Sequence, residues 1–367
     1  MIHYIWREGQ QDTVVPFLVA QGTAFRNVLS VTTYERMFSR SSLALGHLIF
    51  TDVDLLTLHE LEAAQHIADA FRAASPGVSI FNDPARVLQR YALLSTLRKE
   101  GVNPFRVVRL DDDIPDLAYP VFLRREDGAL GPESGLLHNR SELLDALEKL
   151  LAEGQPLRGR IAVEYCAEAC EKGYFRKYGA FRIGPHILPQ HILFSPQWIV
   201  KQNTSVITPD LVAEEERYIA ENPHRVDLMR IFERANVQFG RIDYGFVEGR
   251  LVVYEINTNP TFPFGNHRNG REHLRHAARR RIAEVLGELN RPLVTTAPVR
   301  YQPPSLRSAS GGGPSRSFQL VGRSAFLDRA ISLYWALVPE RLRIAIPRGL
   351  KQTALQLLER ATLPRDR

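Results

Sequence analysis

An α/β (α+β) architecture follows from three features of the 367-residue chain. Over the first hundred residues, short apolar strands alternate with helical stretches, the pattern of a parallel sheet with helical crossovers. Beyond residue 160 the strands pair as hairpins across short turns, as antiparallel sheets do. Hydrophobic residues make up 44% and charged residues 24% of the chain, a balance that can bury a core.

Taken in order, the first clear strand is His47-Leu48-Ile49-Phe50; residues before about 30 show no decisive pattern. Thr57 and Glu60 form a capping box for a helix with Leu58, Leu61, Ala64, Ala68 and Phe71 on one face. Pro76-Gly77 ends that helix and Val78–Phe81 forms the next strand, so the two strands run parallel. A helix follows Asn82-Asp83-Pro84 and reaches Gly101. Tyr119–Arg124 is a strand that enters a Gly-bearing polar loop, Arg125–Gly135. Ser141 is expected to cap a helix with Leu143, Leu147, Leu150 and Leu151 as its apolar side. Ile161–Tyr165 is a strand, and Phe175–Phe194 a hairpin turning near Gly184-Pro185. Residues 211–237 read as helical. Two strands follow, Gly240–Phe246 and Leu251–Ile256, joined by Val247–Arg250, and an Arg/His-rich helix runs from about Asn269 to Leu289. Residues 298–317 have linker composition, and 322–367 a basic amphipathic pattern.

The formal charge of +6 is unevenly spread: residues 291–367 carry +9, leaving −3 for the first 290. A near-neutral body argues against nucleic-acid binding. The basic tail has the pattern of helices that lie on anionic membranes, although packing on the body or on a partner is the commoner use. No apolar run approaches the roughly 20 residues of a membrane span, and residues 1–25 lack a signal peptide's order. Two cysteines cannot build a disulfide framework, so a cytoplasmic location is expected. Cys166 and Cys170 lack the spacing of a Cys-x₂-Cys metal site and read as ordinary thiols. The glycine-rich phosphate cradles of dinucleotide-binding and P-loop proteins are not found.

Chemistry concentrates in Gly240–Phe246 and Leu251–Pro260. Strand alternation sets Arg241, Asp243, Glu255 and Asn257 on one face and Ile242, Tyr254 and Ile256 on the other. Two carboxylates and an amide oxygen together suit a hard cation such as Mg²⁺, and a neighbouring Arg can neutralise a transferring phosphoryl group. A solvated polar face on an ordinary hairpin is the alternative. Lys177 and Lys201 could also reach phosphate, with solvated surface as the alternative. Among the basic residues from His267 and Arg268 through Arg281, the first are best placed to hold an anionic substrate.

An Asp followed twelve positions later by Glu-Ile-Asn-Thr-x-Pro resembles the metal-binding end of the ATP-grasp superfamily, of the D-alanine–D-alanine ligase, glutathione synthetase and ribosomal-protein glutamate ligase type. Ile80–Pro84, Gly101–Pro104, Tyr119–Gly135 and Glu164-Tyr165-Cys166 are similar to that family's other landmarks, in order, so the match spans about residues 78–289. The resemblance implies a leading α/β domain (1–103), a central subdomain (104–165) and a C-terminal ATP-grasp subdomain with the metal site (166–292), to which composition adds a flexible linker (293–320) and a basic helical tail (321–367). It implies Asp243, Glu255 and Asn257 as ligands of Mg²⁺, with Mn²⁺ as substitute, and Arg241 as the catalytic residue at the transferring phosphoryl. Arg90, Arg124 and Arg176 would meet the phosphates of ATP, with Glu164 and Tyr165 beside adenine. The implied reaction is carboxylate–amine ligation through an acyl phosphate, on small-molecule or peptide substrates. A kinase of the same fold and an inactive nucleotide-binding protein are the alternatives, and oligomeric state is left open. Two positions depart from the family, which usually has Lys where this chain has Arg90 and Arg124. A planar fork is not equivalent to an ammonium at a phosphate. The swap marks either a lost nucleotide site or the chain's general preference for Arg, which outnumbers Lys 41 to 6.

Overall fold

The computed structural model describes residues 1–10, 13–22, 25, 27–128, 131–263, 270–293 and 297–303. Its opening strand is β1 (Ile2–Trp6), a segment whose sequence is indecisive because every residue is buried and none alternates with solvent. After α1 (Val15–Gln21) the chain returns as β2 (Leu29–Thr33), then passes α2 (Tyr34–Phe38) and the short β3 (Ser42–Leu43) to β4 (His47–Phe50). Helix α3 (Leu58–Ala74) leads to β5 (Ile80–Phe81). These strands form a parallel sheet of order β2-β1-β4-β5, so the strand order reverses between β1 and β4. Thr57 and Glu60 make the expected capping box on α3. Leu58 departs from expectation at 81% exposed, because the helix buries Ala63, Ala64, Ile67, Ala68 and Phe71 instead.

Helix α4 (Arg90–Lys99) precedes a three-stranded antiparallel sheet of β6 (Val107–Arg109), β7 (Val121–Arg125) and β8 (Arg160–Glu164), in the order β6-β8-β7. Between β7 and β8, α5 (Arg140–Ala152) buries Leu143 and Leu147 against Val121, Leu123 and Ala162. Its cap is Asn139, which accepts from the Glu142 amide, two residues earlier than the expected Ser141. Leu151, expected on the apolar side, points outward at 56% exposed.

The third sheet is antiparallel, of order β10-β9-β11-β12: β9 (Phe175–Ile183), β10 (His186–Ser195), β11 (Phe239–Val247) and β12 (Arg250–Asn257). The stretch read as one helix is two, α6 (Pro209–Glu221) and α7 (Arg225–Arg234), parted at Asn222, whose φ is +46°, and Pro223. Leu211, Tyr218, Ile219, Leu228, Ile231 and Phe232 pack on one face of the sheet, against Phe194, Ile242 and Tyr244. Each such burial is worth about 1.5–3 kcal/mol. On the other face, Phe181, Ile183 and Phe239 meet Tyr4 and Trp6 of β1, and Ile282 and Leu286 of α8 (Glu272–Leu289). The range expected as linker contains a strand, β13 (Val299–Arg300), paired with β3. Residues 304–367, with most of that linker and the whole basic tail, lie outside the described residues.

Two buried asparagines join the sheets. Asn82, with φ of +58°, donates to Phe50 O and Phe239 O (2.9 and 2.7 Å) and accepts from the Gln238 and Phe239 amides. Asn103 donates to Val253 O (3.0 Å) and accepts from Val253 N (2.9 Å), so its amide pairs with β12 as a strand would.

Candidate active site

The β11–β12 hairpin turns through Glu248-Gly249, both at positive φ, a two-residue connection that matches strand twist. Val247 faces Arg250 and Tyr244 faces Val253. In an unbroken strand Glu255, two residues from Val253, would then join it on the apolar face. A bulge prevents this. The register shifts between Asp243 and Tyr244, so that Asp243 pairs with Glu255 and Arg241 with Asn257. Tyr254 is the extra residue. It does not follow Ile242 and Ile256, as alternation implies, but lies over Gly245, where a Cβ would collide with its hydroxyl.

Four cations converge on the two carboxylates. Arg241 Nε donates to Asp243 Oδ1 at 2.8 Å, and Lys177 Nζ to Asp243 Oδ2 at 3.1 Å. Arg90, from the first turn of α4, and Arg124, from β7, both donate to Glu255 Oε2 at 2.8 Å. Arg90 also gathers the carbonyls of Arg125, Glu126 and Gly128, holding the start of the glycine-bearing loop, while Asp54 accepts from the Gly128 amide. Burial alone would raise both carboxyls. Arg241 and Lys177 more than offset it for Asp243, which is held well below the usual carboxylate range. Arg124 and Arg90 do the same for Glu255, bringing it down to about 2. Both are therefore ionised at neutral pH. Asn257 Oδ1 accepts from the Asn259 amide at 2.9 Å, an Asx turn at the end of β12. Asp243, Glu255 and Asn257 thus offer hard oxygens of the kind Mg²⁺ takes, and Glu255 Oε1 accepts no bond from the described residues.

The strand faces separate the other candidates. Gly179 pairs with Asp243, so Lys177 shares its face and Arg176 projects to the opposite one. There Arg176 pairs with Glu214 of α6 at 2.8 Å, away from the carboxylates. Glu164 is buried, its carboxylate accepting from Arg106 N, Arg106 Nε and Ala118 N, so the side chain is committed to the central sheet. Tyr165 stands edge-on to Trp198, with ring centroids 5.7 Å apart, and Phe122 is 5.2 Å from the same indole. Lys201 is exposed beside Gly131 of the loop. Arg271 is buried on Glu215, and His273 pairs with Glu216. His267 and Arg268 lie outside the described residues.

Sequence reasoning missed three contributors. Trp198 arrives from the segment after β10, with no local pattern to single it out. Asn259 accepts from the Tyr4 and Thr13 hydroxyls (both 2.7 Å) and donates to Asp52 Oδ2 (2.8 Å), contacts spanning more than 200 residues. Asp52 was signalled only by its place after a buried strand, since parallel sheets bind ligands at the carboxyl ends of their strands where strand order reverses.

No family model and no curated protein matches the chain. Solved structures are similar to it. A D-alanine–D-alanine ligase from Coxiella burnetii is 11% identical, with 79% of this chain and 95% of that one covered at a TM-score of 0.49. The corresponding ligase from Bacillus anthracis is 12% identical, covering 79% and 96% at 0.46. An ATP-grasp RimK domain protein from Sphaerobacter thermophilus is 13% identical, covering 79% and 99% at 0.42. All three fall below a TM-score of 0.5 and decide neither substrate nor reaction.

Proposed function

We propose that the chain is an ATP-dependent ligase of the ATP-grasp type, joining a carboxylate to an amine or similar nucleophile and releasing ADP and phosphate. One observation carries the reading. Two ionised carboxylates stand in register on one sheet face, and four cations from four separate elements close on them.

A phosphoryl transfer needs alignment and charge neutralisation more than a protein nucleophile. The substrate carboxylate would attack the γ-phosphorus of ATP as the bond to the bridging oxygen breaks, forming an acyl phosphate and ADP. The amine would then attack the acyl carbon, phosphate leaving with the carbon–oxygen bond pair and the nitrogen losing a proton. Arg124, Lys177 and Arg241 would meet the phosphate oxygens. Arg90 spends most of its donors on the loop, so its share is to position that loop over the phosphates. Asp243, Glu255 and Asn257 would hold Mg²⁺, which neutralises phosphate charge when bound. Phe122, Tyr165 and Trp198 offer an aromatic surface to the base, while Glu164, committed to Arg106 and Ala118, supports the strand that carries Tyr165. The same arrangement gives Arg176 a structural role on α6.

Incubation of the full chain with MgATP and a host-cell metabolite extract, followed by mass spectrometry, tests the reading. ADP and phosphate released together, only when a carboxylate and an amine are both supplied, is the expected result. ADP with a phosphorylated product would make the chain a kinase. Nucleotide binding without turnover, unchanged by Asp243→Ala or Glu255→Ala, would make it a binding protein.

A further inference from the structure

The six charged groups at the β11–β12 end do not balance. Among the described residues, Arg90, Arg124, Lys177 and Arg241 pair with no acids but Asp243 and Glu255, so these formal charges sum to +2. Three of the four carboxylate oxygens are also engaged among the described residues, leaving Glu255 Oε1: Glu255 Oε2 takes two guanidinium groups, Asp243 Oδ1 takes Arg241 and Asp243 Oδ2 takes Lys177. All six side chains are largely shielded, from 3% exposed for Asp243 to 22% for Lys177, so solvent screens little of this imbalance. A divalent cation added here would meet an excess of positive charge and compete with ion pairs for its ligands. A polyphosphate would meet the opposite field. Its oxygens suit the guanidinium forks as well as carboxylate oxygens do.

We infer that the site binds in an enforced order. The protein's own Arg90, Arg124, Lys177 and Arg241 hold three of the four carboxylate oxygens against a metal ion until phosphate oxygens draw Arg124, Lys177 and Arg241 away from Glu255 and Asp243. Phosphate is then the key that frees the oxygen ligands. The inference rests on the ligase reading for the identity of the polyphosphate, while its geometry is independent of that reading. It also gives Arg90 and Arg124 a purpose distinct from that of a single ammonium. The fork of Arg124 can meet the arriving phosphate with one nitrogen before another releases the carboxylate, and Nε of both arginines is buried with no hydrogen-bond partner among the described residues.

Calorimetry on the full chain tests the order. ATP in EDTA is expected to bind within about tenfold of its affinity in Mg²⁺, a difference of about one charge-assisted hydrogen bond. Mn²⁺ alone, as the metal probe, is expected not to saturate the unaltered chain. Arg124→Gln, with its fold checked by circular dichroism, should tighten Mn²⁺ binding about 10- to 100-fold without nucleotide. Glu255→Gln added to it should remove the gain. Tight Mn²⁺ binding to the unaltered chain that disappears in Glu255→Gln would overturn the order. So would ATP that binds with Mg²⁺ and not in EDTA, or a folded Arg124→Gln that gains nothing. The first two measurements need no variant to fold. ATP that binds under neither condition ends the ligase reading as well, whereas the other outcomes end the order alone.

Discussion

Asp243 with Glu255 and, at the end of β4, Asp52 are carboxyl sites linked by one loop: Asn257 accepts from Asn259, and Asn259 donates to Asp52. Their chemistry is opposite. Asp243 and Glu255 are surrounded by cations and stay ionised. Asp52, 5% exposed and at a φ of +51°, is held among the described residues by neutral donors, Arg7 N and Asn259 Nδ2, with Asp54 and Glu35 nearby. Burial, aided by those two acids, raises its carboxyl to about 7. Burial is common to both regions; the partners decide the charge.

The largest expected effect falls on the ionised pair. Glu255→Gln should lower ADP release about 10²–10³-fold with circular dichroism unchanged, since it removes charge from the proposed metal and phosphate site. Equal turnover would place Glu255 with the neutral type. The second test uses pH. Between about pH 4, where an unfolded Asp loses its proton, and about 7, folded Asp52 keeps its proton. Stability therefore falls as pH rises through that window, by roughly 4 kcal/mol at most, and Asp52→Asn should abolish this share of the slope in denaturant unfolding. Glu255 gives the opposite sign at lower pH. Its contribution is complete above about pH 4.3 and is lost as the pH falls through about 2. A slope of the same sign from both would contradict the contrast. Third, Lys177→Ala should lower turnover about 10- to 100-fold, because Asp243 loses a charge-assisted bond on the site face. Smallest is its neighbour: Arg176→Ala should leave turnover within about twofold and cost at most about 1 kcal/mol, its partly exposed pair with Glu214 lying on the helix-covered face. If the two adjacent variants behave alike, the assignment of faces is wrong.

How much of this was legible depends on range. The common face of Arg241, Asp243, Glu255 and Asn257 was readable because both strands and their short turn lie within twenty residues. The bulge that makes it true was not, since alternation predicts Tyr254 on the far side. Arg176 and Lys177 could not be told apart, because their faces follow from the pairing of Asp243 with Gly179, far away in sequence. Arg90 and Arg124 were reached through resemblance. Their shared attachment to one oxygen of Glu255 belongs to tertiary packing that no local pattern encodes. Asp52 and Trp198 are further cases, each meaningful only once distant segments meet. The break at Asn222-Pro223, by contrast, was in plain view as a helix-stopping dipeptide within a stretch read as continuous.

Asn82 and Asn103 have a consequence for amide exchange. Each amide side chain grips the backbone of a strand that carries the site, Phe239 on β11 and Val253 on β12, from a point more than 130 residues earlier. Opening the hairpin locally would strand these buried amides without partners, so the hairpin, β4 and the approach to β6 share one opening event. The protons on Phe239 N and Val253 N should therefore exchange only through that shared opening, at a common free energy, and the two halves of the site should fray together or not at all.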